Sequence, residues 1–133
     1  MSHVQTVREM YAAFGRGDVP AILAHLADNV EWEYAGASTD VPWLQPRRGR
    51  AQVAEFFQAL TLMDIHQFQP KALLEGDGLV VALFALEATV KATGRRIVED
   101  DEVHIWYFGA DGKVTRFRHR VDSYQQWAAY AGK

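Results

Sequence analysis

The sequence predicts an α+β fold: a cone-shaped, curved antiparallel sheet wrapped around about three N-terminal helices, with an internal pocket. Three observations predict it. Apolar residues recur at helical spacing in the N-terminal half; from Ile65 onward the pattern becomes strand after strand; and turn residues punctuate both regimes. Helices gathered on one face of such a sheet follow from that order of elements. A curved sheet closed by helices has a mouth, and ligand pockets favour such mouths.

The chain of 133 residues is expected to form a single domain over residues 1–133. Hydrophobic residues make up 49%, with four tryptophans, five tyrosines and seven phenylalanines, enough for a core and for a lined cavity. The net charge of −3 provides no basic field for nucleic acid, and no Lys/Arg-rich stripe suits a membrane surface. Without cysteine there is no disulfide or thiolate metal site. The start "MSHVQTVREMYAAF" has no apolar run of signal-peptide type, and no stretch approaches a membrane span, so a cytoplasmic location is the expectation.

Val4, Val7, Met10, Tyr11 and Phe14 define an amphipathic first helix. It stops at "GRGD", where Gly15 or Gly17 supplies a left-handed residue and Asp18 caps a second helix, "VPAILAHLA", with Pro20 in its first turn. The Arg-Gly-Asp tripeptide there is read as this joint, not as an adhesion motif. "NVEWEYAG" alternates as a half-buried strand. Residues 36–49, with Pro42 and Pro46, form a long loop of the kind that tends to carry function. A third helix, "RAQVAEFFQAL", sets Val53, Phe56, Phe57 and Leu60 on one face. "HQFQPKALLEG" is interrupted by Pro70, which predicts an edge strand or a bulge. The apolar run from Leu79 to Leu86 predicts a strand covered on both faces. "RRIVEDDEVHIWYFG" and "KVTRFRHRVDSY" complete a meander, and "SYQQWAAYAGK" reads as a final short helix.

The hairpin "HIWYFGADGKVTRFRHRVD" carries a histidine on each strand. A two-residue Asp111-Gly112 turn sets His104 opposite His119, Trp106 opposite Phe117 and Glu102 opposite Val121, all on one face. A three-residue loop or a bulge would instead move His104 onto the face of Arg116, Arg118 and Arg120. The alternation in "VTRFRHRVD" favours the first register, which keeps the three arginines together. Two histidines in a buried wall can donate to a ligand oxygen or exchange protons near neutral pH; equally, each can be satisfied by packing alone.

In helices, "GD" joint, "DNVEWEYAG", loop and closing "GKVTRFRHRVD", the chain resembles the SnoaL-like branch of the nuclear transport factor 2-like superfamily. The resemblance spans essentially the whole chain. It implies an α+β cone, a homodimer packed sheet to sheet and a deep apolar pocket. Relatives include steroid isomerases, polyketide cyclases, epoxide hydrolases and dehydratases, besides members that only bind a ligand. The residues depart from the better-known members. Trp32 stands where the ketosteroid isomerases place their carboxylate base, Met10 (with Tyr11 beside it) near their phenol donor, and His104 near their protonated acid, a group the handful of well-studied isomerase sites keep neutral by burial. Against the Asp-Arg-Asp trio of epoxide hydrolases, "FRHRVD" keeps Arg118 but has His119 in place of the last Asp. The cyclase pattern of an Asp with a nearby His offers parts to His104, His119 and Asp122. Alternation puts Asp122 on the arginine face unless the strand ends there.

The run "EDDE", Glu99 to Glu102, is expected to be solvated or to pair with Arg95 and Arg96. Glu102 is the exception, sharing the His104 face and placed to orient that ring. Arg47, Arg48 and Arg50 read as a solvated cluster, with an anionic ligand group at the pocket mouth as the other use. No phosphate loop, serine elbow or His-Glu-x-x-His is present. The candidate acid–base residues are therefore His104, His119, Asp122 and Glu102. The candidate ligand contacts are Tyr11, Trp32, Tyr34, Trp43, Phe57, Phe84, Trp106 and Phe117. The expected partner is a small apolar, ring-containing molecule, with no metal, cofactor, nucleic acid or membrane, and with a second copy on the outer sheet face. Isomerase, cyclase or hydratase chemistry is one reading. A non-catalytic binding or dimerisation domain with structural histidines is the other.

Overall fold

The computed structural model describes residues 2–33 and 40–133. Helix α1 (His3–Gly15) opens with a reciprocal cap, in which Ser2 Oγ accepts from Gln5 N–H and the Gln5 side chain accepts from Ser2 N–H. Gly17, at φ +72°, turns the chain, and Asp18 caps α2 (Val19–Leu23), as the "GRGD" punctuation predicts. α2 is shorter than the apolar spacing suggested, because β1 (Leu26–Glu33) already begins at Leu26.

A 3₁₀ turn at Pro42–Leu44 and the two-residue strand β2 (Arg47–Arg48) lead into α3 (Gly49–Leu60). Four long strands follow: β3 (Met63–Gly76), β4 (Leu79–Val90), β5 (Arg96–Phe108) and β6 (Val114–Arg120). Helix α4 (Ser123–Ala131) closes the chain. The six strands make one curved, open sheet in the order β2-β1-β6-β5-β4-β3. Helix α3 packs on β1, α1 against β3 and β4, and α4 against β5.

The sheet is not wholly antiparallel: β1 runs parallel to β6, with Trp32 beside Phe117. Side-chain alternation is the same for either direction, so the sequence pattern carries no signal for this pair. Pro70 has both features that its missing N–H demands. β3 is the edge strand, and its pairing with β4 slips between Pro70 and Ala72. Along β4 one face is buried (Val80, Ala82, Phe84, Leu86, Ala88), whereas Leu79, Val81, Leu83 and Ala85 remain half-buried. The expectation of cover on both faces is thus not met within one chain.

The hairpin register has the predicted outcome by a different route. His104 pairs with His119 and Trp106 with Phe117. The turn, however, closes from Gly109 N–H to Lys113 C=O at 2.9 Å, with Gly112 at φ +80°. A register shift between Tyr107 and Phe108 then restores the alternation. Arg116, Arg118 and Arg120 stay on the outer face, where Arg116 and Arg118 both pair with Glu33.

A second bulge decides the interior. Phe84 pairs with Glu102 but Leu86 pairs with Glu99, so Ala85 alone faces Asp100 and Asp101. The extra residue turns Glu99 to the same buried side as Glu102 and leaves the two aspartates exposed. Substituting Asp101 with alanine removes only an exposed pair with Lys71 and is expected to change stability by less than about 0.5 kcal/mol. Deleting both Asp100 and Asp101 joins Glu99 directly to Glu102, so alternation drives Glu99 and Ile97 outward; urea unfolding should then show a loss above about 3 kcal/mol. A deletion tolerated like the substitution would contradict the role given to the bulge.

Candidate functional site

Between the helices and the inner sheet face lies a cavity of about 80 Å³. Its wall is mostly apolar, with Trp32, Phe56, Phe57 and Phe117 among its members, and Glu102, His104, His119 and Gln126 set into one part of it. Strands place these groups by alternation: Glu102, His104 and Trp106 on β5, and Phe117 and His119 on β6. His104 faces Ala82 across the β4 pairing and stacks on Phe84 at 4.5 Å.

The polar groups form one chain of hydrogen bonds. Trp106 Nε1–H donates to Tyr11 Oη at 2.8 Å, and Tyr11 Oη lies 2.9 Å from His104 Nδ1. Indole only donates, so Tyr11 Oη accepts there and keeps its own proton for Nδ1, while the Glu102 carboxylate on the other side can only accept. His104 Nδ1 is then an acceptor, and the ring proton sits on Nε2, which donates to Glu102 Oε1 at 2.8 Å. Behind Glu102 stands Glu99, the two carboxyls within hydrogen-bonding reach of one another. Glu99 Oε1 accepts from Asp122 N–H at 2.6 Å, and its Oε2 from Gln126 Nε2–H at 2.5 Å. Gln126 Oε1 accepts from Trp43 Nε1–H at 2.8 Å, which ends the chain.

Burial sets the protonation of these groups. It drops His104 to about 3, so its contact with Glu102 is a hydrogen bond from a neutral ring and not an ion pair. His119 falls to about 3 by burial, reinforced by His104. Burial lifts Glu102 to about 7, and burial followed by repulsion from Glu102 lifts Glu99 to about 7. Burial also holds the Tyr11 hydroxyl in its protonated form, well above the usual phenol range. Three groups of the cavity wall remain without hydrogen-bond partners among the described residues. The His119 ring has ring contacts with Phe56, His104 and Phe117 and no hydrogen bond, and Glu102 Oε2 meets no N–H or hydroxyl donor. The Trp32 Nε1–H is likewise buried without an acceptor.

Most of the residues singled out by sequence meet here. Tyr11, Trp32, Trp43, Phe57, Glu102, His104, Trp106, Phe117 and His119 all line the cavity. Tyr11 does so on the same side as Met10, because the stripe of α1 facing the sheet is wide enough to include both. Two candidates are displaced. Phe84 is fully buried beneath Tyr11 and His104 and does not reach the cavity. Asp122 is exposed; β6 has ended at Arg120, and its carboxylate caps α4 by accepting from Gln125 N–H. Tyr34 lies outside the described residues. The three arginines near α3 do not line the cavity either. Arg47 and Arg50 bind the carbonyls of Pro42 and Leu26, and Arg48 pairs with Glu31.

Glu99 and Gln126 were missed. Glu99 was assigned outward by strict alternation, which the bulge breaks. The signal for a bulge was present only as two adjacent aspartates in an otherwise alternating strand. Gln126 sits in a helix whose buried face is not marked by strong apolar spacing, and nothing in "SYQQWAAY" singles it out.

The described arrangement matches a known family. The SnoaL-like domain profile covers residues 7–117, and the chain belongs to that family. Among solved structures it is similar to a nuclear transport factor 2-like protein of unknown function from Burkholderia pseudomallei K96243, with 28% identity over 98% of each chain and a TM-score of 0.85. A nuclear transport factor 2-like protein from Burkholderia xenovorans LB400 is also 28% identical, over 96% of this chain and 95% of that one, with a TM-score of 0.83. TerC, co-crystallised with polyporic acid, shares 24% identity over 97% of this chain and 98% of that one, with a TM-score of 0.81, a likeness of fold. No curated protein matches the chain. Among the described residues, no helix is long and apolar enough to cross a membrane.

Proposed function

We propose that the chain binds a small, largely apolar molecule carrying one carbonyl or hydroxyl group and moves a proton on it without a cofactor. The observation that carries this reading is the polar region of a mostly apolar cavity, where a network pins every group except Glu102 Oε2, the His119 ring and the Trp32 Nε1–H. Those three are the groups left to meet a ligand. His104 has both ring nitrogens engaged, so its part changes from the principal acid–base residue to a positioning residue that holds Glu102. Glu102, made more basic by burial, is the proposed base, and His119 the proposed partner of the ligand oxygen. At about 80 Å³ the cavity suits a single ring better than the polycyclic ligand that its aromatic lining alone suggested.

The fold also supports a second copy as partner. Val81 and Leu83 on β4, with Val103 and Ile105 on β5, form a half-buried apolar stripe on the outer face. Leu83→Arg is therefore expected to convert a dimer to a monomer in sedimentation experiments. A wild-type monomer, or a dimer indifferent to the change, would remove this interface.

The acid–base reading is tested by α-proton exchange of small cyclic ketones in D₂O, with EDTA present throughout. The wild-type chain should accelerate exchange, and Glu102→Gln should slow it by about 100-fold or more. Fluorescence of the cavity tryptophans should report the ketone still bound. Binding without exchange by the wild type would favour the non-catalytic ligand-binding domain. Neither binding nor exchange across cyclic ketones, enones and phenols would contradict the reading.

A further inference from the structure

The three groups that the acid–base reading uses at the polar end of the cavity can also converge on an ion. Glu102, His104 and His119 each offer one ligand atom within 4.8 Å of the others, and all three residues are buried. Such clusters are commonly consumed by internal hydrogen bonds, and this one is consumed only in part. The His119 ring has no hydrogen bond among the described residues, and Glu102 Oε2, on a side chain only 7% exposed, lacks an N–H or hydroxyl donor. An imidazole nitrogen and a carboxylate oxygen that meets no N–H or hydroxyl donor therefore border the same small space.

We propose that Glu102, His104 and His119 bind one divalent transition ion of the zinc type, leaving a coordination position open towards the cavity. Two imidazoles and one carboxylate make up the ligand set of metal sites that keep a position for water or substrate. Imidazole nitrogens select such ions over magnesium or calcium, which take oxygen ligands. Glu102 Oε1 and His104 Nε2, 2.8 Å apart, are already close to the separation of two ligands that share an ion at bond lengths of about 2.0–2.2 Å. His119, held by no hydrogen bond, is the arm that swings in.

The ion takes the place of the proton on His104 Nε2. The ring proton then sits on Nδ1, where Tyr11 Oη at 2.9 Å accepts it, and the phenol proton turns towards the cavity. Behind the carboxylate ligand, Glu99 is fixed by Asp122 N–H and Gln126 Nε2–H, a support of the kind that orients metal ligands and tunes their basicity. Trp32 and Phe117 line the same cavity, so a ligand oxygen reaching the open position would bring an apolar body against aromatic walls. This site was not anticipated from the sequence, where the acidic run and His104 were expected to hold no metal.

The metal-bound form uses the site of the acid–base reading and takes Glu102 and His119 out of proton transfer; the two fail separately, because the exchange assay contains a chelator and the metal experiment contains no substrate. The full chain, stripped with EDTA and desalted, is titrated with Zn(II) by calorimetry and with Co(II) by visible absorption. One ion per chain is expected, with Co(II) bands of a four- or five-coordinate nitrogen and oxygen site. His119→Gln should weaken Zn(II) binding by about 100-fold or more while the metal-free variant unfolds at the wild-type temperature. His66→Gln, on the exposed edge strand, should leave the affinity unchanged. Glu102→Gln, if it folds, should behave as His119→Gln does. No stoichiometric binding by the wild type, or equal binding by His119→Gln, overturns the proposal.

Discussion

Polar groups inside an apolar shell must find partners within the protein, and that constraint governs the interior of this molecule. Trp43, Gln126, Glu99, Glu102, His104, Tyr11 and Trp106 solve it together, each satisfying the next. The chain of bonds joins α1, β5, α4 and the 3₁₀ turn before β2, so it ties the helical layer to the sheet from both ends. Removing one member strands its neighbours; a buried group left unpaired costs about 1–3 kcal/mol. The Tyr11 hydroxyl is the most connected point, since it accepts from one ring and serves another. The same closure that stabilises the network fixes the His104 tautomer, which in turn decides which atoms remain for a ligand.

Sheet curvature supplies the enclosed space. β3 slips register against β4 at two places, and β5 slips once opposite Ala85. Each slip bends its strand and increases the local twist. The slip in β5 has a second effect, because it brings Glu99 inward behind Glu102. Curvature and site chemistry therefore share one structural cause. Regular alternation would instead have turned Glu99 outward and set Asp100 on the inner face beside Glu102.

Much of this was readable in the sequence, and the limits are physical. Helical spacing in Val4 to Phe14 and in Val53 to Leu60 located α1 and α3, and the "GRGD" joint located the turn between the first helices. Alternation in "VTRFRHRVD" placed His104, Trp106, Phe117 and His119 on one wall. That reading survived a wrong turn geometry because a bulge offset the longer loop. Bulges were the main blind spot, since one extra residue reverses every later assignment on a strand. Glu99 was lost that way. Phe84 and Asp122 failed for other reasons: alternation predicts which face a residue shares, but not whether another side chain covers it, nor where a strand ends. The direction of β1 against β6 left no trace in composition or period.

The central claim is that His104 is a neutral ring locked with its proton on Nε2 by Tyr11 on one side and Glu102 on the other. Nitrogen-15 NMR of the imidazoles in the metal-free protein near neutral pH tests it directly. The network predicts a His104 Nε2 signal bearing a slowly exchanging proton and an unprotonated Nδ1 shifted as a hydrogen-bond acceptor. Replacing Tyr11 with phenylalanine should remove that Nδ1 shift. A His104 ring protonated on Nδ1, or carrying both protons, would contradict the hydrogen-bond chain and the division of roles built on it.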